Sequence, residues 1–172
     1  MNMKSVDQHR QEAPQQVSCM IVTVSDTRTP ENDTSGNLIR QLLEAGGCKV
    51  VKYVIIKDEY DQIRQLLREA ASDRSIEAVL LSGGTGISPR DTTYEAVRSL
   101  LNKEMPGFGE IFRYLSFTED IGSAAILSRA IAGTISNMAV FSMPGSQAAV
   151  KLAMERIIMP ELGHVMREIN KK

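Results

Sequence analysis

The sequence has no tryptophan, two histidines, two cysteines, and aromatic residues at only 5% of its 172 positions. Each shortage removes a class of chemistry. His9 lies in a polar N-terminal stretch and His164 near the other end, so a histidine-based metal centre or a Ser-His-Asp triad is not expected. Cys19 and Cys48 lack metal-ligand spacing, and two cysteines make no disulfide framework; Cys19, inside an apolar run, reads as a small buried hydrophobe. Neither sign of charge dominates: 20 Lys plus Arg stand against 21 Asp plus Glu, a net charge of −1. That balance argues against broad attraction to nucleic acid or to anionic lipid. No apolar run approaches the ~20 residues of a membrane span. The first sixteen residues are polar, include Pro14 and lack a signal-peptide core. They read as a mobile tail, 1–16, ahead of a single domain, 17–172, in the cytoplasm.

What is present is an alternation of β-rich apolar runs with helical periodicity. Ser18 to Ser25, Lys49 to Ile56 and Glu77 to Ser82 read as buried parallel strands. Between them, Leu38, Ile39, Leu42 and Leu43, then Ile63, Leu66, Leu67 and Ala70, recur at helical spacing. Asp33, Thr34 or Ser35 can cap the first of these helices, and Gly46-Gly47 would end it. Tyr94, Val97 and Leu101 mark a third helix, Phe108 to Leu115 a fourth, and Asp120 to Leu127 a short fifth. Ile131 to Ile135 and Met138 to Phe141 read as a hairpin around Ser136-Asn137. A last helix starts near Val150 and is perturbed by Pro160. This order predicts an α/β fold: three layers, α/β/α, with a mostly parallel central sheet. Loops 25–33, 57–60, 82–92 and 142–147 would then share the rim at the strand C-termini, where such folds bind ligands.

The third strand runs into Ser82-Gly83-Gly84-Thr85-Gly86, followed by Arg90 and Asp91. A tight turn is the plain reading, but three glycines in four residues exceed what one turn needs. A loop stripped of side chains can aim backbone N–H groups at an anion, and a helix start behind it adds positive potential. It is neither a Walker A loop nor a dinucleotide fingerprint, so it indicates anion binding without naming a nucleotide. Asp91 and Asp58 each make good helix caps. Together on one rim they also suit Mg²⁺, which takes one or two carboxylates plus substrate phosphates. Arg90 and Arg129 are candidates for clamping phosphate or carboxylate. Phe108, Phe112, Tyr114 and Phe117 suit a core or a subunit interface better than base stacking.

Four ordered motifs carry a resemblance. Ser82 to Gly86 with Arg90-Asp91, Pro106 to Glu110 with Arg113, Leu127-Ser128-Arg129-Ala130 with Gly133, and Met143-Pro144-Gly145-Ser146 resemble the MoaB/MogA family of molybdenum cofactor biosynthesis. The similarity runs from about Met20 to His164. Gly107 to Arg113, Ile121 to Ala125 and Pro160 to Leu162 look more like the MoaB branch. The resemblance implies a molybdopterin-binding fold assembled as trimers or hexamers. It implies ATP- and Mg²⁺-dependent adenylylation of molybdopterin, with release of pyrophosphate and room for contacts with other proteins of the pathway. It places catalytic and metal-binding acids at Asp58 and Asp91, and pterin binding at Ser128. It also implies ligand contacts at Ser25-Asp26 and Pro144-Gly145. Lys57 stands where the family often has proline, and Thr92-Thr93-Tyr94 where it often has Val-Thr-Pro. Alternatives from other classes are a non-catalytic pterin carrier and a trimeric assembly module.

Overall fold

In a computed structural model residues 16–171 are described; the tail expected over 1–16 lies outside them except for Gln16, as do His9 and Pro14. Six strands form one sheet: β1 (Ser18–Val24), β2 (Lys49–Ile56), β3 (Ala78–Ser82), β4 (Lys103–Glu104), β5 (Ile131–Ile135) and β6 (Met138–Met143). Their order is β2-β1-β3-β6-β5-β4. The first four in that order are parallel, while β5 runs antiparallel to both β6 and β4. The helices are α1 (Thr34–Ala45), α2 (Tyr60–Ser72), α3 (Thr93–Arg98), α4 (Pro106–Glu119), α5 (Gln147–Ala153) and α6 (Met159–Ile169). A 3₁₀ segment, Gly122–Leu127, stands where the short fifth helix was expected.

The alternation of side chains along each strand divides the core into two faces. Cys19, Ile21, Leu80, Ala132 and Phe141 point to the side covered by α1, α4, α5 and α6, where Ile39, Leu43, Phe112, Val150 and Met166 meet them. Met20, Val22, Val79, Leu81 and Val140 point the other way, against Ile63, Leu67, Ala96 and Val97 of α2 and α3. The strands of β1 and β3 are buried on both faces, which is why they read as continuous apolar runs. The architecture is the expected three-layer α/β fold.

Two local features follow from single residues. Ser136 turns the β5–β6 hairpin with φ of 53°. Pro160 has no N–H and crowds the preceding turn; the chain answers with a π-helical segment, Met154–Ile158, in which Met159 N–H reaches back to Met154 O. β4 escapes sequence reading because it has only two residues, both charged and exposed. It exists because Asn102 and Met105 donate to Thr134 and Ala132 carbonyls on either side. Phe108 and Phe112 are core, but Tyr114 and Phe117 are 66% and 57% exposed on the outer side of α4.

Candidate functional site

The C-terminal ends of β1, β2, β3 and β6 bring the four expected loops together. Ser25 N–H donates to Ile56 O, and Gly83 N–H donates to Met143 O, so each loop is tied to its neighbour as it leaves the sheet. Gly145 lies against Gly83, where an added Cβ would stand 3.2 Å from Gly83 Cα. Ser35 Oγ, at the start of α1, donates to Gly145 O at 2.8 Å.

The glycine loop sits between these contacts. Gly83 and Gly84 have φ of 105° and 64°, and a Cβ on Gly83 would lie 2.1 Å from Val24 O. Only glycine fits there. Past Gly83, the backbone N–H groups of Gly84, Thr85 and Gly86 donate to nothing among the described residues. Buried or half-buried N–H groups are almost always paired. Three unpaired in succession form a cradle for an acceptor.

Both acids flank that cradle. A Cβ on Gly84 would lie 2.3 Å from Asp58 Oδ2, and one on Gly86 would lie 2.8 Å from Asp91 Oδ2. Asp58 is 6% exposed, and its Oδ1 accepts from Thr92 N–H at 3.1 Å and Thr92 Oγ1 at 2.7 Å. It therefore caps α3, not the helix around Ile63. This corrects one expectation: the helix start behind the glycine loop has six residues and a carboxylate already at its N-terminus, so it adds little positive potential to the cradle. Asp58 Oδ2 remains turned toward Gly84. Asp91 folds back onto its own loop, with Oδ2 accepting from Ser88 N–H at 3.1 Å. Among the described residues no three His, Cys, Asp or Glu side chains converge as a preformed metal cluster. Two carboxylates beside a run of unpaired amides are a donor set of the type Mg²⁺ uses with substrate phosphates.

Neither arginine points free into the rim. Arg90 Nε and Nη2 grip both oxygens of Asp26 at 2.8 and 2.9 Å, and Nη1 reaches Glu59 Oε1 at 2.9 Å. This hydrogen bond from Arg90 holds the Asp26 carboxyl below the ordinary carboxylate range. Arg129 donates from Nε and Nη2 to Gly86 O, pairs with Glu95, and lies over the Tyr94 ring. Ser146 Oγ is used as the cap of α5, accepting from Ala149 N–H. Ser25 Oγ accepts from the N–H groups of Thr27 and Arg28.

Three hydroxyls stand out by the opposite criterion. Ser82 Oγ, Ser128 Oγ and Ser142 Oγ are buried with no partner among the described residues. Ser82 lines a cavity of about 80 Å³ together with Thr23, Ser25, Arg28, Ser35 and Gly83. Sequence reading missed Arg28, Ser35 and Asp33 there. Asp33 is 1% exposed, accepts from Gly36 N–H, Thr23 Oγ1 and the Tyr53 hydroxyl, and so fixes the start of α1 over the cavity. Its signal was the helix-cap composition of 33–35, which gave no hint of a tyrosine from β2. A larger groove, about 640 Å³, lies at the far end of the sheet beside Lys103 and Val165, away from these groups.

Comparison with known proteins matches this geometry to a family. Residues 20–164 match the family described as "Probable molybdopterin binding domain". A protein of Halalkalibacterium halodurans named molybdenum cofactor biosynthesis protein B is 69% identical, over 97% of this chain and 98% of its own length. A solved structure of a molybdenum cofactor biosynthesis protein B is 53% identical, with a TM-score of 0.90 over 93% of this chain and 99% of that one. The tungsten cofactor synthesizing protein MoaB from Pyrococcus furiosus is 37% identical with a TM-score of 0.81, covering 91% and 99% of the two chains. The chain belongs to the MoaB/MogA family of molybdenum cofactor biosynthesis proteins.

Proposed function

We propose that this protein binds molybdopterin at the rim and catalyses its Mg²⁺- and ATP-dependent adenylylation, giving adenylyl-molybdopterin and pyrophosphate, in the cytoplasm. The observation that carries this reading is the unpaired run of amides at Gly84, Thr85 and Gly86 with a carboxylate on each side. Phosphoryl and nucleotidyl transfer need positioning and charge neutralisation more than a covalent nucleophile. The amides supply hydrogen bonds to phosphate oxygens. Asp58 Oδ2 and Asp91 would hold Mg²⁺, which supplies neutralisation of the phosphate charge when bound. The unpartnered Ser128 hydroxyl is suited to a pterin amide or ring nitrogen, and Ser82 to an acceptor in the small cavity.

The direct test incubates the purified protein with molybdopterin, ATP and Mg²⁺ and measures pyrophosphate release. Asp91→Asn should keep its fold and pterin binding and lose turnover at least a hundredfold; unchanged turnover would remove Asp91 from the chemistry. A second reading, a non-catalytic pterin carrier, draws on the capping role of Asp58, which already commits one carboxylate oxygen. Calorimetry with Mg²⁺-ATP separates them, because the carrier shows no saturable nucleotide binding.

The reading includes assembly with further copies of the chain. Ile111, Tyr114, Phe117, Ile121, Ile126 and Leu127 are each at least half exposed, on α4, the 3₁₀ segment that leads to Ser128 and the turn between them. A run of large apolar side chains of that kind is a surface for association, whether in a trimer or a hexamer. An assembly module without ligand chemistry would keep this surface and leave the amide cradle without purpose.

A further inference from the structure

Arg129 faces two backbone carbonyls, and those two carbonyls bracket the loop that carries Asp91. Its Nε lies 2.9 Å from Gly86 O, its Nη2 bonds the same oxygen, and Nη2 also lies 3.4 Å from Asp91 O. The side chain is three-quarters buried, braced by the Glu95 carboxylate and the Tyr94 ring on α3. Its backbone is fixed where the chain enters β5, beside buried Ala130 and Ile131. A guanidinium so held is a rigid fork with each of its three nitrogens engaged.

The consequence lies on the other side of the Asp91–Thr92 peptide. In a trans peptide the C=O and the following N–H point in opposite directions. Asp91 C=O points to Arg129, and Thr92 N–H points to Asp58 Oδ1 at 3.1 Å. One peptide plane is therefore clamped between a guanidinium and a carboxylate. The same logic applies at the other end of the loop, where Gly86 C=O is held and the Asp91 carboxylate packs against Gly86.

We infer that Arg129 is a positioning residue: by holding the Gly86 and Asp91 carbonyls it sets the orientation of both Asp58 and Asp91 at the glycine loop. This rests on the proposed function only for the purpose of that orientation; the positioning itself is a statement about one peptide plane. Lysine does not substitute, since a point charge on a flexible stem reaches one carbonyl and leaves the other. Glu95 serves as a control, because removing its charge leaves both carbonyl contacts in place.

The test measures amide hydrogen exchange in Arg129→Lys, Arg129→Ala and Glu95→Gln, alongside Mn²⁺-ATP binding read by water-proton relaxation. In the two Arg129 variants Thr92 N–H should exchange at least tenfold faster, while core amides of β3 such as Leu80 keep their protection. Millimolar guanidinium should restore Thr92 protection in Arg129→Ala, and Glu95→Gln should resemble the parent. Thr92 exchange unchanged in Arg129→Ala, or lost equally with that of Leu80, overturns the inference. Mn²⁺-ATP affinity should fall about tenfold in Arg129→Lys with Leu80 protected. A parent protein that binds no Mn²⁺-ATP refutes the adenylylation reading alone, because the Thr92 readout needs no ligand.

Discussion

Substituting alanine along the glycine loop, one position at a time, tests whether that loop is shaped by the sheet or only by its ligand. Gly83 is the demanding site. Its φ of 105° places an alanine in a region that costs about 1–3 kcal/mol. The new Cβ would stand 2.1 Å from Val24 O, a backbone atom at the end of β1 that cannot retreat without loosening the β1–β2 ladder, where Val24 pairs with Ile56. Overpacking of that kind adds about 1–3 kcal/mol. Gly83→Ala should therefore lose about 2–6 kcal/mol, which for a chain of this size lowers the melting temperature by roughly 4–24 °C. Gly86 differs: its Cβ would meet only the Asp91 carboxylate at 2.8 Å, a side chain tied by one hydrogen bond from Ser88 N–H rather than a backbone atom of a strand. Gly86→Ala should cost less than about 1 kcal/mol of stability and displace Asp91, weakening Mg²⁺-nucleotide binding instead. Gly107, in the first turn of α4, has nothing within 4 Å, so Gly107→Ala should be neutral or stabilising by up to about 1 kcal/mol. Urea and thermal melts of the three variants give the order directly. A Gly83→Ala protein within 1 kcal/mol of the parent, or a Gly86→Ala protein as unstable as Gly83→Ala, would refute the packing argument.

Burial, with the adjoining Asp33 carboxylate, pushes the Tyr53 phenol up to about 12 from an ordinary 10.0. Folding therefore favours the protonated phenol, and this contribution is complete below pH 10 and fades between pH 10 and 12. Tyr53→Phe should be less stable than the parent at pH 9 and should narrow the gap as pH rises to 11.5, as followed by urea melts. Asp26, held low by Arg90, contributes in the opposite sense: its stabilisation is present at neutral pH and fades as pH falls below the ordinary carboxylate range. Arg90→Ala should shift the Asp26 carboxyl upward in a ¹³C NMR titration with little change in melting temperature, because both groups are exposed. Tyr114→Glu combined with Phe117→Glu should convert any oligomer to monomer by light scattering while leaving the monomer folded, since both side chains lie outside the core.

The fold was legible where one physical rule dominated. β2, α1, α2 and the β5–β6 hairpin follow from apolar periodicity and turn composition, which depend on residues close in sequence. β4 was not legible, because two exposed charged residues become a strand only when Thr134 and Ala132 present carbonyls from thirty residues away. The same distinction runs through the site. The glycines and the acid after them are legible as a loop at the rim because they lie within ten residues of one another. The Thr23, Asp33 and Tyr53 contact draws on β1, the start of α1 and β2, and no spacing rule links those three positions. Gly36 shows the hidden dependence: a Cβ there would stand 2.1 Å from the Tyr53 hydroxyl. A glycine inside the first turn of a helix looks like a defect in sequence and is a clearance in space.

The arginines make the sharper case, since residue type alone does not tell which groups they engage. An arginine beside a glycine loop invites a phosphate clamp, and the chemistry of guanidinium supports that as readily as it supports carbonyl binding. What separates the two is the count of donors already spent. Arg129 has Nε, Nη1 and Nη2 committed to Gly86, Glu95 and Asp91, and Arg90 has its three nitrogens on Asp26 and Glu59. By the same count, Gly84, Thr85 and Gly86 have amides with no acceptor among the described residues. The donors left open beside the acids are therefore backbone amides, while Arg129 is engaged with the Gly86 and Asp91 carbonyls and Arg90 with the Asp26 and Glu59 carboxylates.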